Sequence, residues 1–349
     1  MNSQILPRVL NALSSPQTNI RAAACQCTRS LSRSVKNLRT SLIDAGIVTP
    51  LLKLLSDPSI TVKTAACATV CNIVLDFSPM KKTFIENGGI VALVQMVHDS
   101  TDENLKLNAL WALKNILFQA DPDIKTNVFL HLGASTIKAL CEDPSFAIQE
   151  QALNLLRNAA CGREADILFV LNQMGESTII DILEQKLCLV GIPDEMHLHA
   201  LYMIVNIATG KEAHKSLIMN SATIISNIVR LLVSPKSQIR IAAVWCIINL
   251  TWPDDVGSRE RIEVFKALRV AETLLDLVER DTSMDVKERV KTALVNFGHG
   301  PHCSATENSD ELIAIEPVRT DRRSDGLHFG TVIYDDENSD MMITDPTSN

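Results

Sequence analysis

Residues 105–118 read LKLNALWALKNILF, and close copies of this stretch recur along the chain. The copies ATVCNI, LNLLRNAA, LYMIVNIA, VWCIINLT and KTALVNFG each place one asparagine where this stretch places Asn115. The positions are Asn72, Asn115, Asn158, Asn206, Asn249 and Asn296, separated by 43, 43, 48, 43 and 47 residues. A seventh copy, AACQCTRSLS, aligns 42 residues upstream of Asn72 and carries Ser30 at that point. Self-similarity at a period in the forties, in a chain that otherwise reads as helix, predicts a stacked helical solenoid.

Composition agrees with that reading. Of 349 residues, 46% are hydrophobic but only 4% aromatic, which suits a long core of Leu, Ile, Val and Ala. No run approaches the roughly 18 uncharged apolar residues of a membrane span. The opening MNSQILPRVL has neither a basic n-region nor a cleavage site, so a soluble intracellular protein with no membrane partner is expected. Residues 301–349 hold 11 acidic and 3 basic side chains, leaving 30 of each sign in residues 1–300. A neutral body argues against nucleic acid as a partner, because duplex binding needs a stripe of Lys and Arg to displace counterions. Nine cysteines without a C-x-x-C pair read as buried free thiols. Cys67 and Cys71 share a helix face but have no neighbouring His, so no metal site is expected.

Taken in order, the first unit is a helix pair, residues 4–13 and 20–34, joined by SSPQT. It begins on Ile5, Leu6, Val9 and Leu10, whereas an end repeat should present a polar face. The expectation is that further repeats precede it or that a partner covers it. Arg29, Arg33, Lys36 and Arg39 fall near one helical face and read as a solvated surface, since no aromatic is interleaved. The next unit sets a pattern of three helices: RTSLIDAG ending at Gly46, IVTPLLKLLSD, and SITVKTAACATVCNIVLDF after Asp57-Pro58. Gly ends a helix because it accepts the left-handed conformation, and Pro starts the next. Units three, four, six and seven repeat the scheme. Unit five carries the extra residues QKLCLVGIPDEMHLH, expected to lengthen a loop on one edge. Its His197 and His199 are two apart and so share no helix face for a metal. His299, His302 and Cys303 lack a fourth ligand nearby. Asn249-Leu250-Thr251 is a formal glycosylation sequon, discounted because it falls inside a helix. Beyond Gly298 the 3.6-residue period stops, and 301–349 reads as an acidic, disordered tail. Within it LHFGTVIY, 327–334, alternates weakly; a plain tail is favoured over a strand or docking peptide.

The segments FIENGGIVALVQMV and ALWALKNI resemble the armadillo repeat, with Gly88-Gly89-Ile90 through Val94 matching its turn and Trp111 standing four before Asn115. HEAT repeats have two helices and usually lack that Gly-Gly turn. The resemblance implies an all-α, right-handed superhelical solenoid of about seven three-helix repeats over 1–300, whose third helices line a concave groove.

Catalysis finds no foothold in the sequence. There is no phosphate-cradling G-x-x-x-x-G-K-[ST], no G-x-S-x-G elbow, no H-E-x-x-H and no dinucleotide fingerprint. A non-enzymatic chain without cofactors or metals is expected. Trp111 with Asn115, Asn154 with Asn158, Tyr202 with Asn206 and Trp245 with Asn249 are i, i+4 pairs, each stacked on one helix face. Burying such amides uncompensated would cost roughly 1–3 kcal/mol each. A helix-interior Asn can also bridge neighbouring repeats, but six in register favour an open groove. There Asn72, Asn108, Asn115, Asn154, Asn158, Asn206, Asn249 and Asn296 would hold the backbone of a peptide-like segment. An amide donates and accepts at once, while Trp111, Tyr202 and Trp245 would wall the side chains between.

Two families share these features. Importin-alpha-like nuclear import adaptors have W-x-x-x-N pairs, but only Trp111 and Trp245 supply the tryptophan here, no basic segment precedes the repeats, and the tail is acidic. SLIDAGIVTPLLKLLSDPSITVKTAACATVCNIVLDFSPMK and IRIAAVWCIINLTWPDD more closely resemble the armadillo-subunit family of CTLH (GID) E3 ubiquitin ligases, over residues 1–300. That resemblance implies a cytoplasmic and nuclear adaptor that holds a substrate receptor in its groove and links it to the ligase scaffold. Tyr202, Asn206, Arg240, Trp245, Asn249 and Trp252 would then contact the receptor.

Overall fold

The computed structural model describes residues 5–33, 42, 44–75, 78–189 and 191–298. Most of RTSLIDAG, Lys36, Arg39, the three-residue group of His299, His302 and Cys303, and the whole tail with its 327–334 fragment lie outside them. Among the described residues every regular element is an α-helix, and Met1–Pro301 forms one compact unit.

Seven long helices carry the repeat copies: Thr18–Arg33, Ile60–Ile73, Glu103–Leu117, Phe146–Ala159, Asp194–Ala208, Ser237–Leu250 and Met284–Asn296. Each consecutive pair of long helices packs together. Being sandwiched explains their composition. Glu103–Leu117 buries Leu105, Ala109, Leu110, Ala112, Leu113, Ile116 and Leu117, more than one face's worth, and leaves Asn108, Trp111 and Asn115 half-buried along one stripe. Two shorter helices precede each long one from Met80 onward: for example Met80–Glu86 and Gly89–Asp99, or Ser258–Ala267 and Val270–Arg280. The first unit has one, Ile5–Leu13.

Local chemistry sets the boundaries. Asp102 caps Glu103–Leu117 by accepting from Leu105 N–H at 2.7 Å. At the Gly88-Gly89 turn the two glycines act differently: Gly88 adopts φ +83°, and a β-carbon at Gly89 would lie 2.2 Å from the Phe84 ring. The turn therefore brings the two short helices into contact over Phe84, which is fully buried.

Unit five corrects the expected long loop. Gln185–Cys188 extends the second helix, Glu176–Cys188, and the link to the next helix is residues 189–193. Asp194 to His199 then begin the long helix, so most of the extra residues are helical.

Buried cations buttress the stack. Lys81 donates to the Phe118 carbonyl at 3.2 Å and Lys125 to the Cys161 carbonyl at 3.3 Å, both just past a long helix's C-terminus. A cation there satisfies an orphan carbonyl and opposes the helix dipole. Lys125 also pairs with Asp166 at 3.0 Å, and Lys215 pairs with Asp255. Burial pushes the Lys125 ammonium below its usual range, with Asp166 pulling it back up.

Candidate functional site: the asparagine ladder

Each ladder asparagine bonds backward into the preceding repeat. Asn72 Nδ2 donates to the carbonyl of Arg29 at 3.3 Å, Asn115 to Cys71 at 3.0 Å and Asn158 to Lys114 at 3.0 Å. Asn206 donates to Arg157 at 3.0 Å, Asn249 to Val205 at 3.2 Å and Asn296 to Ile248 at 3.3 Å. The acceptor is always the residue before the equivalent position one repeat earlier. From Cys71 onward it also belongs to the last four carbonyls of its helix, which have no intrahelical partner. The ladder is therefore a set of inter-repeat C-caps. The amides are compensated inside the protein, so their burial needs no ligand.

This changes the part several residues play. Asn158 and Asn206 are buried, and the Asn158 oxygen accepts from the Arg157 guanidinium at 3.1 Å. Asn154, 4% exposed, sits 2.9 Å from His199 Nε2. Tyr202 is 1% exposed, too deep to wall a groove, with the Arg157 guanidinium 5.9 Å from its ring. These two residues are core, not contact surface. Arg240 is also corrected: it donates to Asp281 at 2.7 Å through two nitrogens and to the carbonyls of Ser234 and Pro235. Arg21 makes the same clamp on Asp57, Ser15 and Pro16 in the first unit. Arg240 therefore ties two repeats together.

What stays accessible lies at the two ends of the ladder. Asn72, Asn108, Trp111 and Asn115 are half-buried toward one end, and Trp245, Asn249, Trp252 and Asn296 toward the other. Lys114 Nζ lies 4.9 Å from the Trp111 ring centre and the Arg289 guanidinium 5.2 Å from that of Trp245, so both tryptophans carry a stacked cation. Among the described residues the side-chain oxygens of Asn72, Asn115, Asn249 and Asn296 accept no hydrogen bond from the protein. Each of these amides therefore keeps an acceptor after its structural bond is made.

The middle of the ladder is closed by His199. Its ring nitrogens contact Asn154 and, at 3.4 Å, Arg157 Nη1, and Nε2 lies 3.6 Å from Glu150. Burial pushes the imidazole down to about 4, against the upward pull of Glu150, so it is neutral at pH 7. Among the described residues no cluster of His, Cys, Asp and Glu could hold a metal, and no helix is long and apolar enough to cross a membrane.

The ladder cations Arg29, Lys114, Arg157 and Arg289 were not singled out as site residues from sequence. Arg29 was read as solvated surface, yet it is half-buried on a ladder rung. The available signal was the residue before the ladder position, basic in three of the seven copies.

Three-helix units joined through long inner helices, with glycine turns between the short helices and a register of asparagines, define an armadillo-repeat protein. The armadillo repeat model matches residues 37–75, and a HEAT repeat model matches 5–35, the unit that has two helices here. The family model described as the VID28/GID5 C-terminal domain matches residues 95–310, and the chain belongs to that family. Armadillo repeat-containing protein 8 of Xenopus laevis is 31% identical over 307 residues, covering 84% of this chain and 40% of that protein. GID complex subunit 5 of Schizosaccharomyces pombe is 28% identical over 84% of this chain and 44% of its own length. The chain thus spans less than half the length of these relatives. Among solved structures, an engineered protein superposes with TM-score 0.69 at 22% identity, covering 85% of this chain and 69% of its own. A designed armadillo repeat protein in complex with the peptide (KR)4 gives TM-score 0.61 at 23% identity, covering 70% and 99%.

Proposed function

We propose that this chain is a non-catalytic adaptor subunit of a GID (CTLH)-type E3 ubiquitin ligase, acting in the cytoplasm and nucleus in ubiquitin-dependent protein degradation. In this reading an extended segment of a substrate receptor lies along the ladder face, and the same solenoid attaches the receptor to the ligase scaffold. The observation that supports it is that the matched family region, residues 95–310, contains nearly all the accessible ladder residues: Asn108, Trp111 and Asn115 toward one end, and Trp245, Asn249, Trp252 and Asn296 toward the other. A half-buried tryptophan with a stacked guanidinium is the type of group that dominates interface energetics. An adaptor role also fits a sequence that carries no catalytic motif. The test is purification of the tagged chain from cells with identification of the bound proteins. Ligase scaffold and receptor subunits are expected; importin-beta with basic cargo, in their absence, would overturn the proposal.

A further inference from the structure

The residue before each ladder position divides the ladder into two chemically distinct halves. It is Arg29, Cys71, Lys114 and Arg157 in the first four repeats, and Val205, Ile248 and Val295 in the last three. The main-chain carbonyls of Arg29, Lys114 and Arg157 each accept a ladder amide, which fixes the three residues at one register along successive helices. Their side chains are half-buried, and two of them stand over aromatic rings, Lys114 on Trp111 and Arg157 on Tyr202. Their fields overlap along the row. Burial drives the Cys71 thiol up to about 12 while Lys114 and Arg29, on either side of it, both pull it down. Lys114 and Arg157 likewise both act on His199. The nearby carboxylate of Glu150 is engaged by Gln151 Nε2 at 3.3 Å and faces His199.

We propose that the first four repeats receive an acidic, extended peptide of a partner protein, its carboxylates against Arg29, Lys114 and Arg157 and its backbone N–H groups on the free asparagine oxygens. The proposal rests on the groove reading above and names the chemistry of the ligand. Packed helices lie about 8–10 Å apart, and three residues of an extended polyproline II segment span about 9 Å and return to the same face. Carboxylates three positions apart in the peptide therefore meet Lys114 and Arg157, and a further six positions reach Arg29, two repeats from Lys114. A peptide fits better than a nucleic acid strand, which is also anionic, because single-strand binding relies on a platform of successive aromatics. Here the ladder supplies amides, which match a peptide backbone.

Fluorescence anisotropy on the full chain tests this, with three labelled probes: a short peptide carrying Glu at every third position and otherwise uncharged, its Lys counterpart, and an oligothymidylate. The Glu peptide should bind more tightly than the other two. Its affinity should fall about fivefold with Lys114→Gln and with Arg157→Gln, recover with Lys114→Arg, and weaken as salt rises from about 50 to about 300 mM. Tighter binding of the Lys peptide or the oligonucleotide would overturn the proposal, as would an unchanged Glu-peptide affinity in Lys114→Gln. Should Arg157→Gln lower the melting temperature, Lys114→Gln decides alone, since it is the Lys114 main-chain carbonyl, kept in that variant, that accepts the ladder amide. Co-purification of ligase subunits is read separately. If they are retained while the Glu peptide fails to bind, the ligand class is wrong and the adaptor reading stands; if they are absent, the adaptor reading itself fails.

Discussion

Asn206 donates from Nδ2 to the main-chain carbonyl of Arg157 at 3.0 Å, and Arg157 immediately precedes Asn158, the counterpart of Asn206 one repeat back. The same backward bond joins every successive pair of copies from Asn72 to Asn296.

Removing a ladder amide where it is buried should therefore weaken the stack. Asn206→Ala leaves the Arg157 carbonyl without its cap, at a cost of about 1–3 kcal/mol in urea unfolding. The same change at half-exposed Asn296 lets water replace the amide and should cost less, about 0.5–1 kcal/mol. Equal losses at the two sites would contradict the burial difference.

The Arg240–Asp281 clamp is held by two nitrogens, with the carboxylate 1% exposed. Arg240→Ala strands that carboxylate and should cost about 2–4 kcal/mol, while partner capture at permissive temperature stays at the wild-type level. Reduced capture by a fully folded Arg240→Ala protein would return the residue to the binding surface.

Acid should loosen the same clamps. Asp57 lies below the usual carboxylate range because Arg21 hydrogen-bonds it; Asp281 is pushed up by burial but pulled further down by Arg240. A carboxylate with a depressed folded value contributes stability above its unfolded value of about 3.9 and loses that contribution as pH falls through the folded value. Melting curves below about pH 4 should therefore be steeper in pH for wild type than for Asp57→Asn with Asp281→Asn.

His199 acts in a milder window. Its folded value of about 4 lies below the unfolded value of about 6.5, so the unfolded chain binds the extra proton first. Stability should fall as pH drops from about 6.5 toward about 4, by at most about 3 kcal/mol. His199→Gln should flatten the melting temperature across that interval, and an unchanged slope would refute the assignment.

Trp245 and Tyr202 were indistinguishable by spacing and now separate. Trp245→Ala should cost about 2 kcal/mol of receptor affinity with helicity retained. Tyr202→Ala should act on stability, by about 3 kcal/mol or more, because a fully buried ring is removed. A pull-down and a thermal melt on each variant distinguish the two roles.

The repeat count, the three-helix unit and the Gly88-Gly89 turn were legible because each is a local pattern: an apolar period, a left-handed glycine, a close approach to Phe84. The ladder register was legible too, but not the direction in which its amides point. An asparagine that faces a ligand and one that caps the preceding helix occupy the same place in the helical period. Only the inter-repeat offset, which brings Asn206 onto Arg157 rather than Asn158, separates them. Arg240 was misplaced for a related reason. Its partner Asp281 lies 41 residues away, and nothing local marks that pair. The helical extension of unit five was hidden by Gly191-Ile192-Pro193, which reads as loop although the residues on either side continue helices.

Because every cap is supplied by the repeat that follows, the solenoid has a direction in time as well as in space. A chain emerging amino end first always carries one helix terminus at its growing edge whose carbonyl still awaits an amide not yet synthesised. Each new repeat consolidates its predecessor before it is itself consolidated, so maturation trails translation by one unit. A stall at any point leaves the last unit frayed and those behind it sealed.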